Sequence, residues 1–158
     1  GLLLYLYYIS KQKNELPNPS KVTKQLAVIA LVLTLTQIAM GTQVRQFVDE
    51  QINRLGEEAH ALWLDPAPLL FYVHRSFSLL VTALNVLLFF LLKKMNYPLQ
   101  TMYYVLGMIG LEILTGIAMY YFDFPFSIQP LHLLFASLLF GAQSYLLFHI
   151  FQPKHNNT

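Results

Sequence analysis

The chain has no cysteine. Disulfides, thiolate metal centres and cysteine nucleophiles are therefore excluded, and cysteine usage says nothing about compartment. Charge is nearly as scarce. Only 11% of the 158 residues are Asp, Glu, Lys or Arg, whereas a soluble domain carries about 25%. The formal net charge is +2, and there is neither a long basic run nor a recognition module, so nothing points to nucleic acid as a partner. What fills the chain instead is apolar: 56% of residues are hydrophobic and the mean hydropathy is +0.48. The natural solvent for such a chain is the lipid bilayer.

Four stretches are long and apolar enough to cross one. They run from Thr23 to Val44, Leu69 to Leu92, Pro98 to Phe122 and Ile128 to Phe151. Each is near the roughly 20 residues that span about 30 Å of hydrocarbon as a helix. None shows the strict alternation of an outer-membrane barrel strand. The expected fold is an all-α membrane protein: a four-helix transmembrane bundle over residues 23–152, built from two similar helical hairpins, with an outer loop at 45–68. The opening "GLLLYLYYI" is nine apolar residues, too few to span and without the flanks of a signal peptide. Residues 1–22 are expected to be the tail of a preceding transmembrane helix and a linker, and 153–158 a polar tail.

Basic residues set the orientation. Lys11, Lys13, Lys21 and Lys24 precede the first span, Lys93 and Lys94 lie between the second and third, and Lys154 follows the fourth. All seven fall on one side. Basic residues in short loops stay in the cytoplasm, so both termini are expected there. The opposite side holds "RQFVDEQINRLGEEAHALWLDPAP", in which Val48, Ile52, Leu55, Ala59 and Leu62 recur at steps of four and three. That is one apolar helical stripe. It predicts a helix over residues 46–62 lying on the outer surface, stopped by Asp65-Pro66-Ala67-Pro68. A lid over a site between the spans is the alternative.

A quiet repeat runs through the chain. Gln37, Ile38 and Gly41 late in the first span match Glu112, Ile113 and Gly116 late in the third. Each of these outward-running helices is followed by an inward-running one with a histidine near its outer end: His74 in "FYVHRSF" and His132 in "QPLHLLF". Ionisable residues inside spans usually face the bundle interior and mark function. One such histidine reads equally as an interfacial side chain bonded to a carbonyl. Two at matched depth on equivalent helices favour a shared ligand. Without carboxylate or thiolate partners they make a poor zinc site, which needs four ligands. They suit a flat macrocycle whose iron already has four ring nitrogens and takes one or two axial ligands. Ser78, Ala136 and Gly141 are small enough to admit such a plate, and Phe77, Phe135 and Phe140 could line it, although any one Phe reads more readily as packing or lipid contact. His60, His149 and His155 have no counterpart at matched depth. Arg45 and Arg75, at outer span ends, present forks suited to carboxylates, and pairing with Asp49, Glu50 or lipid phosphate is an equal reading. Glu112 is the carboxylate deep in a span; its match to Gln37 favours a hydrogen-bonding structural role.

At "GTQVR" (Gly41 to Arg45) followed by Asp49, at His74-Arg75 and at His132 in "QPLH", the chain resembles the C-terminal half of haem A synthase, a membrane enzyme family of cytochrome oxidase assembly. The resemblance covers nearly the whole chain. It implies eight helices in two similar four-helix bundles. The C-terminal bundle would hold haem b between two histidines, here His74 and His132, as axial ligands of the iron. The N-terminal bundle would bind haem O and oxidise a methyl group to the formyl of haem A. The resemblance makes Arg45 and Arg75 candidates for the haem propionates. It implies as partners the N-terminal half, haem O as substrate of the full protein, and an electron donor that the sequence does not identify. This polypeptide is expected to keep the haem b site without the substrate site, in a bacterial inner membrane. A stand-alone four-helix b-type cytochrome, carrying electrons without oxygenase chemistry, is the alternative.

Overall fold

A computed structural model describes residues 17–122, 124–125 and 127–152. The expected upstream helix tail in residues 1–9 and the tail 153–158 lie outside the described residues. Four long helices follow one another: α1 (Lys21–Leu55), α2 (Leu69–Lys94), α3 (Gln100–Tyr121) and α4 (Ile128–Phe151), with a single 3₁₀ turn at His60–Leu62 between α1 and α2. All four are long and apolar enough to cross a membrane. The chain is an integral membrane protein, and no strand occurs among the described residues.

The helix ends follow from local chemistry. Ser20 caps α1, its hydroxyl accepting from the Thr23 N–H at 3.1 Å. Pro68 immediately precedes α2, and Pro130 falls in the first turn of α4, where a missing N–H costs nothing. After α2, Asn96 takes a left-handed φ of 53° and the Tyr97 N–H returns to Leu92 O at 3.0 Å. Asn tolerates that conformation better than most side chains. The chain therefore reverses sharply, and Tyr97 turns back into the core.

One expectation is corrected. The apolar stripe from Val48 does not form a separate helix lying on the outer surface. It is the continuation of α1, which runs unbroken to Leu55. At 1.5 Å per residue, the 35 residues of α1 extend about 52 Å, well beyond a bilayer core of about 30 Å. The reason is cooperativity. Adding a residue to an existing helix is far easier than nucleating a new one, and "TQVRQFVDEQINRL" contains no Gly or Pro. Termination waits for Gly56, whose φ of 89° only glycine adopts freely; its N–H closes on Ile52 O at 2.9 Å. The stripe is engaged most at its start: Val48 is buried and Ile52 half-buried, while Leu55 and Leu62 are exposed.

The helices form a ring in which α1 packs on α2, α2 on α3, α3 on α4 and α4 on α1. Helices α2 and α4 are thus diagonal. The lysine end is assembled as the charge pattern requires. Thr23 Oγ1 at the start of α1 reaches Met95 Sδ after α2, at 3.7 Å, and Lys24 Nζ lies 5.7 Å from the Phe151 ring centroid at the end of α4. The sequence repeat reappears as burial. On α2 the buried residues are Val81, Asn85, Leu88 and Leu92; on α4 they are Leu139, Gln143, Leu146 and Ile150. Each pair is 58 positions apart. On α1, Ala27, Ala30 and Thr34 are buried; their partners 75 positions on, Met102, Val105 and Ile109, are buried on α3. The two hairpins present the same face to each other. Their shared apolar core, from Ala27 and Leu88 to Leu146 and Ile150, lies toward the lysine end. Large side chains such as Leu69, Leu79 and Phe148 point outward, as lipid-facing surfaces do.

Candidate functional site

Both histidines extend the buried faces outward. His74 is seven residues before Val81 and eleven before Asn85; His132 is seven before Leu139 and eleven before Gln143. At 3.6 residues per turn these are two and three turns, so each histidine belongs to the interior face of its helix. They stand on diagonal helices at the end remote from the lysines. The small residues Ser78 and Ala136 lie one turn below them on the same faces.

The preceding helix of each hairpin meets its histidine in a parallel way. Gln37 Nε2 on α1 donates to the His74 carbonyl at 3.0 Å. One turn further along α1, a methyl group on Gly41 would come within 3.2 Å of His74 Cε1. On α3, Glu112 Oε2 lies 3.3 Å from His132 Nε2, and a methyl on Gly116 would sit 3.8 Å from His132 Cε1. The match of Gln37 and Gly41 with Glu112 and Gly116 is therefore a match of contacts. In each hairpin a polar side chain and a glycine, one turn apart, frame the next helix's histidine.

The two imidazoles differ in what holds them. His132 is held at both nitrogens: Nδ1 lies 2.8 Å from Thr115 Oγ1 and Nε2 faces Glu112. The Thr115 hydroxyl reaches Leu111 O at 2.8 Å. With its proton donated there, the Thr115 oxygen is an acceptor for the His132 tautomer that carries its proton on Nδ1, and in that tautomer Nε2 is the lone-pair nitrogen. His74 has a buried Nδ1 with no hydrogen-bond partner among the described residues. A buried polar atom left unpaired in an apolar interior is costly, and the His74 ring shares that condition with Gln37 Oε1 and Glu112 Oε1 on the neighbouring helices. Thr115 was not indicated by sequence reasoning. Its counterpart on α1 is Met40, so the repeat carries no hydroxyl there to draw attention to it.

The arginines lie outside this interior. Arg45, on the outward extension of α1, pairs with Asp49 through Nη2 at 2.7 Å and Nε at 3.1 Å. Arg75 is exposed, with its guanidinium carbon 5.7 Å from the Tyr120 ring centroid. Ser78 donates to Arg75 O at 2.7 Å. Phe77 joins Tyr72, Val73, Ser76 and Leu80 in an apolar groove on α2. No atom lies within 4 Å of where a side chain on Gly141 would begin, apart from its own helix. His149 sits near the inner end, with Nδ1 3.1 Å from Tyr145 O, apart from the other two. Among the described residues no three His, Asp or Glu side chains converge on a metal position.

Over this end of the bundle two loops meet. Trp63 is buried and its Nε1 donates to Gly56 O at 3.2 Å. Its ring lies 4.3 Å from that of His60 and 5.8 Å from that of Phe124 in the α3–α4 connection. Phe124 has a φ of 57°, an uncommon conformation for a bulky residue, and its N–H bonds Met119 O at 3.0 Å. The outer loop is thus tied to the opposite hairpin by an aromatic contact.

No curated protein and no solved structure matches the chain. A family model does: that of the COX15-CtaA family, described as cytochrome oxidase assembly protein, matches residues 1–144. The match takes in all three motifs from "GTQVR" to "QPLH" and most of the chain, and on it the chain belongs to the COX15-CtaA family of cytochrome oxidase assembly proteins, the haem A synthase family.

Proposed function

We propose that this chain is the haem b-binding C-terminal half of a haem A synthase, with His74 and His132 as the axial ligands of the iron. The observation that carries the reading is the placement of two half-buried imidazoles at equivalent positions of a repeat, on the inward faces of helices that are diagonal in the ring. Three features of the residues fit a flat macrocycle. The His74 Nδ1 is buried without a partner. Glycine faces each imidazole from the neighbouring helix. Ser78 and Ala136, one turn on from the histidines on the same faces, are small side chains. Haem b bound by two histidines is a one-electron carrier with no open iron position, which suits electron delivery to a neighbouring substrate bundle.

The chain's own residues have defined tasks in this reading. Thr115 keeps the His132 proton on Nδ1 and orients the ring, as the hydrogen-bond partners of ligating histidines do. His132 Nε2 would hold the iron in place of its contact with Glu112, and the Glu112 carboxyl would then hydrogen-bond within the interior. Gln37 holds the first turns of α2 through the His74 carbonyl. Arg75, with no ion pair among the described residues, is the readier partner for a propionate; Arg45 would first have to leave Asp49. The methyl-to-formyl oxidation of haem O belongs to the N-terminal half of the full protein. The lysine side is cytoplasmic, in a bacterial inner membrane. Purified in detergent and titrated with haem b, the protein is expected to take up one haem per chain with a six-coordinate low-spin spectrum. A protein that takes up no haem, or gives only a five-coordinate species, contradicts the reading.

A further inference from the structure

Three turns below each histidine, on the same helix face, stands a buried amide. Asn85 on α2 is fully buried and Gln143 on α4 nearly so. Gln143 Nε2 donates to Asn85 Oδ1 at 3.0 Å, and Asn85 Nδ2 donates to Val81 O at 2.8 Å. Helices α2 and α4 are diagonal in the ring, and among the described residues this is the side-chain hydrogen bond that joins them. Stability alone does not account for it. Gln143 Oε1 is buried without a partner, a cost that two apolar residues would avoid. The positions one turn further, Leu88 and Leu146, show that leucine fits this interior. Imperfectly satisfied polar pairs in an otherwise apolar core are best known for fixing register between helices.

We propose that Asn85 and Gln143 are positioning residues: their hydrogen bond sets the spacing and register of α2 against α4, and through it the separation of the imidazoles of His74 and His132. This rests on the reading of those histidines as axial ligands. Eleven residues of helix are about 16 Å, so the amide pair stands three turns from the imidazoles on the same helix faces. Two imidazoles bind one iron only at a fixed separation. An error in helix spacing therefore appears as a strained or broken axial bond.

The test uses the protein in lipid nanodiscs, with two readouts. The first is the distance distribution between spin labels on cysteines placed at the exposed positions Leu80 and Leu138, in a chain with no other cysteine. The second is the electron paramagnetic resonance spectrum of the bound ferric haem. Asn85→Leu and Gln143→Leu should each broaden the distance distribution, and each should convert part of the low-spin signal to high spin or shift its largest g value. The swap Asn85→Gln with Gln143→Asn keeps both amides and their summed length, and should restore both readouts. If the single variants do not fold, the double leucine variant, which fills the interior without a hydrogen bond, should give the broadened distribution. Wild-type distances in the leucine variants, an unrestored swap, or broadened distances with an unchanged low-spin signal would each overturn the proposal. A wild-type protein that binds no haem would sink the axial-ligand reading instead, and the label distances would still decide whether the amides hold the helices.

Discussion

At Gly41 a methyl group fits only if the His74 ring gives way by a few tenths of an ångström. A Cβ there would meet His74 Cε1 at 3.2 Å, whereas one at Gly116 would meet His132 Cε1 at 3.8 Å, an ordinary contact. Gly41→Ala should therefore push the His74 ring by a few tenths of an ångström and weaken haem retention, while Gly116→Ala should retain a full complement; haem content after purification distinguishes them. Thr115→Val removes the hydrogen bond to His132 Nδ1 with little change of shape. Losing such a support typically costs about 10- to 100-fold in affinity for the bound metal, so haem titration should show a weaker site, with Thr115→Ser close to wild type. An unchanged affinity in Thr115→Val would show that the ring is oriented by something else. The histidines and their glycines were legible in the sequence because the two hairpins repeat them. Thr115 was not, because Met40 stands in its place in the other hairpin. Asn85 and Gln143 carried a signal that could have been read: both stand eleven residues after a histidine.

The helix α1 illustrates what a hydrophobic period can and cannot say. The steps from Val48 to Leu55 fix a helix and its apolar side, but the period is the same for a helix lying on a membrane and for one continuing out of it. The distinction rests on whether a breaker separates the span from the stripe, and the first is Gly56. The Arg45–Asp49 pair adds only about 0.3–0.5 kcal/mol as an exposed i,i+4 contact, so continuity comes from propagation rather than from that bridge. Spin labels placed singly at Gln46, Glu50, Asn53 and Arg54 should show accessibility to a water-soluble relaxing agent that rises along the series. A constant depth at all four would restore the surface-lying helix. The other three spans were legible to within two residues at each end, because prolines or charged turns bound them.

The molecule as a whole is polarised. Its lysine end is closed by a continuous apolar core, and its other end holds the framed histidines beneath the contact between Trp63 and Phe124. Trp63→Ala should loosen that cover, and hydrogen exchange should rise in residues 56–68 while the core helices stay protected. Uniform exchange behaviour would assign the cover no role in ordering the loop. Cysteines placed at Glu58 and at Lys93 should label from opposite faces of the membrane, as the lysine distribution requires; labelling of both from one face would contradict the topology. Everything proposed about function converges on the two imidazoles, and one measurement addresses them directly: the haem-to-protein ratio and visible spectrum of purified His74→Ala, His132→Ala and His149→Ala. The account predicts that either of the first two variants loses the haem or leaves it five-coordinate, while His149→Ala, altered near the opposite membrane face, keeps one six-coordinate haem per chain. Full six-coordinate haem in both His74→Ala and His132→Ala would contradict it.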